Sequence, residues 1–153
     1  MPRLSEQLLI PHDADNLYEL VRDIRGYPDF IRWIRKMNVS DETEDGQGAY
    51  TCTGEADVHF KGFDETFSTS VKANKADRTI EVRLARGPFR HLKNRWQFDP
   101  QPAHLGQART RVHFFIDYEF KNPILGMLAR SNSRLAVDKI MGAFRAEADR
   151  RFK

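Results

Sequence analysis

Tyr50-Thr-Cys-Thr-Gly-Glu-Ala-Asp-Val-His-Phe60 alternates without a break. Tyr50, Cys52, Gly54, Ala56, Val58 and Phe60 share one parity, and Thr51, Thr53, Glu55, Asp57 and His59 share the other. A period of two sends successive side chains to opposite faces of a strand, so this stretch predicts a strand with one dry and one wet face. The pattern recurs in Phe63, Glu65, Phe67, Thr69, Val71, then in Ile80, Val82, Leu84 and in Leu92, Asn94, Trp96, Phe98. It closes with Val112, Phe114, Ile116, Tyr118, Phe120. Upstream, Arg3 to Ile10 and Met37 to Glu44 read as two more strands, for a total of about seven. Gly46-x-Gly48, Lys61-Gly62, Asn74 to Arg78, Gly87-Pro88 and Asp99 to Gly106 supply the turns. Such clean alternation belongs to antiparallel meanders.

Two helical regions flank the strands. Asp13 is a candidate N-cap for a helix carrying Leu17, Leu20, Val21 and Ile24 on one face, with Gly26 at its left-handed end and a short second helix over Pro28 to Trp33. At the C-terminus, Asn122 caps and Pro123 opens a helix whose apolar stripe runs through Ile124, Leu128, Leu135, Ile140, Met141, Phe144, Ala148 and Phe152. Thirty residues at ~1.5 Å each give ~45 Å, enough to cross a whole sheet. A sheet with one dry face needs a cover, and this helix is the element long enough to provide it. The expected architecture is α+β, a curved antiparallel sheet gripping a C-terminal helix, in a single domain over residues 1–153.

Composition narrows the function. An apolar fraction of 40% with 31% charged residues excludes a disordered tail and a membrane bundle. The longest nearly apolar run, Ile124 to Ala129, is far short of the ~20 residues of a spanning helix. The start, Met-Pro-Arg-Leu-Ser-Glu, lacks a signal-peptide pattern, and a lone Cys52 fits a reducing bacterial cytoplasm. Eleven Phe match eleven Leu, an unusual aromatic load.

Catalytic signatures are missing. There is no nucleophile elbow, phosphate loop or His-Glu-x-x-His pair. His12, His59, His91, His104 and His113 have no partner at metal-ligand spacing, so no metal is expected. His59, His91 and His113 have wet parity and are expected in solvent, as are Glu55 and Asp57. Cys52 has dry parity and reads as a small core residue. Three basic groups stand out: Arg32, Arg35 and Lys36; Arg86, Arg90, Lys93 and Arg95; and the terminal helix, with seven bases against three acids over residues 123–153. They suit solvated faces or a surface meeting phosphates of lipid or RNA. Aromatics do not share their wet parity, which favours lipid over RNA, and no DNA partner is expected. The aromatics crowd the dry side, where Glu65, Thr69, Asn94 and Thr110 also fall. Polar groups at dry positions often mark a partly open cavity.

Five segments carry a resemblance: Gly26-Tyr-Pro-Asp-Phe-Ile-Arg-Trp33, Phe60-Lys-Gly-Phe63, Phe67-Ser-Thr-Ser-Val71, Gly87-Pro-Phe-Arg-His-Leu-Lys-Asn-Arg-Trp-Gln-Phe-Asp-Pro100 and Tyr118-Glu-Phe-Lys121. With them the chain resembles the coenzyme Q-binding protein family of the START and polyketide cyclase-like superfamily, nearly end to end. The resemblance implies a helix-grip fold whose tunnel binds ubiquinone, a chaperone role in respiration and quinone synthesis, and neither catalytic residue nor metal nor catalytic cofactor. Many members have cysteine after the tryptophan; here Ile34 follows Trp33. A bacterial branch binds the large ribosomal subunit as a toxin-like factor, so the ribosome is an alternative partner, and a polyketide cyclase-like enzyme is another alternative.

The expected function is therefore sheltering of ubiquinone or a related isoprenoid lipid at the inner face of a bacterial membrane. Phe67, Trp96 and Phe114 are expected to line the tunnel, with Leu128 and Leu135 contributing from the helix and Tyr27, Phe30 and Trp33 at one end. Ile124, Leu125 and Met127, with Arg130 and Arg134 beside them, are expected to form a lip facing an anionic membrane.

Overall fold

The computed structural model describes residues 3–60 and 63–152. Seven antiparallel strands form one sheet: β1 (Arg3–Ile10), β2 (Ile34–Glu44), β3 (Ala49–Phe60), β4 (Phe63–Asn74), β5 (Thr79–Arg86), β6 (Phe89–His104) and β7 (Gln107–Phe120). Their order is β1-β7-β6-β5-β4-β3-β2, so β2 to β7 are a plain meander and β1 returns to the far edge. Helix α1 (Ala14–Arg22) and a 3₁₀ helix (Ile24–Asp29) join β1 to β2, and α2 (Pro123–Arg151) follows β7. The α+β helix-grip architecture expected from the alternation is the one observed. Parity also holds residue by residue: in β3, Tyr50, Cys52, Ala56 and Val58 are buried while Glu55 is exposed. Register shifts between Ile34 and Lys36, Ser40 and Thr43, and Phe89 and His91 are bulges, and bulges bend the sheet into a trough.

Strand β2 starts at Ile34 rather than Met37, and three other boundaries differ from the sequence reading. Asp13 caps α1 by accepting from the amides of Asp15 and Asn16, but the helix ends at Asp23 (φ −80°, ψ 72°). Gly26 is thus not its left-handed cap, and the second helix is a 3₁₀ turn over Ile24–Asp29 rather than Pro28 to Trp33. The early break lets Ile24 drop onto the sheet over Gly54, where a Cβ would stand 2.6 Å from Ile24 Cδ1. The expected turn over Asp99 to Gly106 is mostly strand, with only Leu105 and Gly106 at positive φ in the turn itself. Pro100 and Pro102 fit within β6 because β5 pairs with it only as far as Gln97, leaving one side of the strand without a ladder to break. The Lys61-Gly62 turn lies outside the described residues.

Burial divides α2 into unequal halves. Its buried residues are Val137, Met141, Phe144, Glu147 and Ala148, all in the second half. There α1 and α2 close over Val71, Ile80 and Phe98, with Tyr18 edge-on to Phe98 at 6.4 Å. Polar contacts fasten this end: the Thr110 hydroxyl donates to the His12 carbonyl at 2.7 Å, and His12 Nε2 meets Asp149 Oδ1 at 2.7 Å. Arg150, then Arg151, hold the Glu147 carboxyl down at about 2. The first half of α2 does not follow the expected stripe: Ile124, Leu128 and Leu135 are 70%, 44% and 40% exposed. Anchored at one end only, the helix stands off the upper sheet.

Gly54→Ala should destabilise the fold by about 1–3 kcal/mol in urea denaturation, and by much less in an Ile24→Ala background that removes the obstructing methyl. Because the Glu147 carboxyl lies below its unfolded value, its contribution is present above about pH 4.5 and lost as pH falls toward about 2. Thermal melts across that window should show a shallower acid slope for Glu147→Gln.

Candidate functional site

A cavity of about 320 Å³ occupies the space between the trough and the raised half of α2. Its floor is aromatic. Phe144 descends from α2 and meets Trp96 of β6 at 5.1 Å and Tyr27 of the 3₁₀ helix at 5.2 Å, both edge to face. Phe114 packs edge-on against Trp96 at 4.8 Å. The opposite end is a second aromatic group, with Trp33 against Phe60 at 5.3 Å, Phe67 against Phe89 at 5.2 Å, and Phe89 stacked on Phe120 at 4.5 Å. Gly87 makes room for Phe67: at φ +154° its missing Cβ would stand 2.4 Å from Phe67 Cβ. Met37, Val58, Val82 and Ile116 line the walls between the ends, and Leu125, Leu128, Ala129, Ala136 and Ile140 of α2 form the roof.

The wall carries few polar groups, and most have partners. Trp96 Nε1 donates to Asn94 Oδ1 at 3.0 Å, and Asn94 Nδ2 donates to the Phe115 carbonyl at 2.8 Å, which fixes the indole. The Tyr27 hydroxyl donates to the Val21 carbonyl, and burial pushes its pKa well above the ordinary phenol range. Burial also raises Tyr118, partly offset by the Ser133 hydroxyl. Both tyrosines therefore stay neutral. Thr69, Asn132 and Ser133 complete the polar lining, and no Asp, Glu, His, Lys, Arg or Cys reaches it among the described residues. Such a wall offers shape, apolar surface and a few neutral hydrogen bonds, with no proton-transfer group near neutral pH.

The structure brings together Tyr27, Trp33, Phe67, Trp96, Phe114 and Leu128 of the expected lining. Phe30 stands behind it, edge-on to Tyr27 at 6.0 Å and to Phe144 at 5.3 Å. Leu135 is turned outward, and Val137 takes the inward position that the apolar stripe had assigned to it. Of the expected lip, Ile124, Met127 and Arg130 are exposed, Leu125 faces the cavity, and Arg134 pairs with Glu6 and Asp138. Ala129, Asn132, Ser133 and Ala136 were missed because small and polar side chains hide the inward stripe. Their spacing from Leu125 to Ile140 is nevertheless helical.

Other expectations are refined by cross-strand contacts. Cys52 is core, and burial raises its thiol pKa. The wet-face histidines are partnered rather than simply solvated: His91 lies 3.1 Å from Asp117, and His113 lies 2.7 Å from Asp99. His59 sits 3.3 Å from Asp57 and 3.0 Å from Asp64. These three could offer cation ligands within 4.8 Å of one another, a grouping that sequence spacing missed because Asp64 arrives across the hairpin. The carboxylates flank opposite ring nitrogens, however, and face away from the cavity. No helix among the described residues is long and apolar enough to cross a membrane.

Residues 10–145 match the model of the polyketide cyclase / dehydrase and lipid transport family. The chain belongs to this family. The ribosome association toxin RatA of Escherichia coli is 32% identical over 125 residues, which cover 82% of this chain and 73% of RatA. The mitochondrial coenzyme Q-binding protein coq10 of Schizosaccharomyces pombe is 25% identical over 141 residues, covering 92% and 82%. Among solved structures, an 18 kDa protein of Caulobacter crescentus matches with a TM-score of 0.81 at 35% identity, covering 98% of this chain and 97% of that one. The resemblance carried by Gly26–Trp33 and Gly87–Pro100 thus holds at the level of the family and its START-like, helix-grip fold.

Asn94→Leu should cost about 1–3 kcal/mol, since it strands the indole N–H and the Phe115 carbonyl in an apolar wall. A change in tryptophan emission should accompany the loss, as Trp96 is released from its fixed rotamer.

Proposed function

We propose that this chain binds ubiquinone or a related isoprenoid quinone and carries it without altering it, supporting respiration and quinone biosynthesis. The observation that carries this reading is the neutral, aromatic, un-ionised wall of the cavity. A quinone ring presents flat π faces and two carbonyl acceptors. The floor of Trp96, Phe114, Phe144 and Tyr27 supplies edges and faces for the ring, and the hydroxyls of Thr69, Ser133 and Tyr118 line the same cavity. The tail is hydrocarbon, worth ~25 cal/mol per Å² when buried, and a tail longer than the cavity leaves through the mouth beside Leu125 and Leu128. The coenzyme Q-binding name of the coq10 relative supports the ligand class. The proposed setting is a reducing bacterial cytoplasm, at the surface of the membrane that stores the quinone.

Two other readings are weaker on the same observations. A cyclase needs a positioned acid or base, and the lining supplies only two tyrosines held neutral by burial. A ribosome-binding role is supported by the 32% identity to RatA. It would use exposed cations rather than the cavity, and its affinity would fall steeply with salt.

Solvent extraction and mass spectrometry of protein purified from a quinone-producing host should find substoichiometric ubiquinone. Added short-tailed quinone should quench Trp33 and Trp96. Ala136→Phe, which fills the roof of the cavity, should reduce both signals in folded samples, whereas Glu55→Ala on the outer face should leave them unchanged. An extract free of quinone, together with no quenching, would reject the carrier reading. Salt-sensitive co-sedimentation with ribosomal subunits that survives Ala136→Phe would instead favour the RatA-like one.

A further inference from the structure

The mouth of the cavity and a group of six exposed cations without ion pairs among the described residues lie at the same end. Chain direction sets this up: β3, β5 and β7 end there at Phe60, Arg86 and Phe120, and β2, β4 and β6 begin there at Ile34, Phe63 and Phe89. Two backbone bonds tie the end together. His59 N–H donates to the Trp33 carbonyl at 2.8 Å, and Lys121 N–H donates to the Pro88 carbonyl at 2.9 Å. Basic groups that are far apart in sequence therefore converge around the opening: Arg32, Arg35, Lys36, Arg86, Lys121 and, two turns into α2, Arg130. All six are exposed, and none makes an ion pair among the described residues. The same end also holds the ion pairs Arg3–Asp117 and Arg90–Glu119, so these six are the cations left over after that pairing. At the opposite end Arg22 pairs with Glu44, Arg25 with Glu42, Arg78 with Asp15, and both Arg150 and Arg151 with Glu147.

Within this basic rim the first two turns of α2 present Ile124, 70% exposed, Met127, 63%, and Leu128, 44%. Large aliphatic side chains held in water cost free energy, and these three sit together beside the opening, whereas Leu9, Leu105 and Leu135 are exposed singly elsewhere. Cations around an apolar tip form the pattern of a surface that dips into the headgroup and acyl boundary of an anionic bilayer. An RNA partner would use the same cations, but it gains nothing from exposed isoleucine and methionine, and among the described residues no exposed aromatic side chain stands beside them for base stacking.

We infer that the open end of the grip, with Ile124 and Met127 at its tip and Arg32, Arg35, Lys36, Arg86, Lys121 and Arg130 around it, docks on an anionic lipid bilayer and so places the cavity mouth against the membrane. The inference rests on the carrier reading for its purpose and on different residues for its support. The lip expected over Ile124 to Arg134 is redrawn by it. Arg134 is already neutralised by Glu6 and Asp138, Leu125 turns inward, and the missing charge comes from the strand ends at β2, β5 and β7 and the residues beside them.

Co-sedimentation of the full chain with vesicles tests it, comparing pure phosphatidylcholine with a mixture rich in phosphatidylglycerol. The protein should bind the anionic vesicles preferentially. Arg86→Glu with Arg130→Glu should weaken that binding by about fivefold or more for each residue. Ile124→Ser with Met127→Ser should weaken it by about tenfold or more while leaving quenching by short-tailed quinone unchanged. Lys139→Glu with Arg145→Glu, exposed positions farther along α2, should have little effect. Equal sedimentation with both vesicle types overturns the docking surface. So does a response to the arginine variants without any response to the Ile124 and Met127 variants, combined with binding to ribosomal RNA, which would assign the rim to RNA. Quinone quenching that persists when docking fails leaves the carrier reading standing, and vesicle binding by a protein that takes up no quinone removes that reading alone.

Discussion

Phe144 is the contact on which the rest of the structure depends. A seven-stranded sheet with one dry face must be covered, and α2 supplies the cover from a single anchored half. Phe144 sits within that anchored half, with Val137 and Met141 buried on its N-terminal side. It touches Trp96 of the sheet and Tyr27 and Phe30 of the 3₁₀ segment, closing the packed core on one side and forming the floor of the cavity on the other. Beyond Val137, toward the N-terminus of α2, the helix and sheet diverge, and the aromatic side chains that would otherwise fill a core become a wall. The cavity is thus a consequence of one-sided anchoring rather than of a missing residue.

Charge is distributed along the same axis. At the anchored end the cations are tied to carboxylates, and Glu147 is ionised down to about pH 2 by the arginines beside it. At the open end Arg3 and Arg90 are tied to Asp117 and Glu119, but six further exposed cations are not paired among the described residues. Inside, burial raises both wall tyrosines, so the interior stays neutral while the rim around it is positive. A neutral pocket framed by cations suits a ligand that is apolar itself but resides among anionic headgroups, and it gives no foothold for acid–base chemistry.

Much of this was legible in the chain. Period-two alternation named the strands and their inward faces, because a strand's geometry makes parity equivalent to side. Asn122-Pro123 marked the start of α2, because a cap and a proline at the first turn are local chemistry. The aromatic lining of the sheet followed directly from parity. Helix α2 was harder: its inward stripe passes through Ala129, Asn132, Ser133 and Ala136, which carry no hydrophobic signal, so the larger Leu135 drew the reading outward. The break at Asp23 was illegible, since it answers to the space over Gly54, a residue thirty-one positions away.

By itself, the sequence determined the fold class, the order of elements, the inward faces of the strands and the family, because each of these depends on repeats and motifs within a few neighbouring residues. Only the tertiary structure decided that α2 is anchored at one end, that Asp57, His59 and Asp64 share a corner, and that basic groups from four separate segments frame one opening. Those outcomes depend on which strand ends lie side by side. That adjacency is set by hairpin connections and sheet bending, and no local spacing along the chain encodes it.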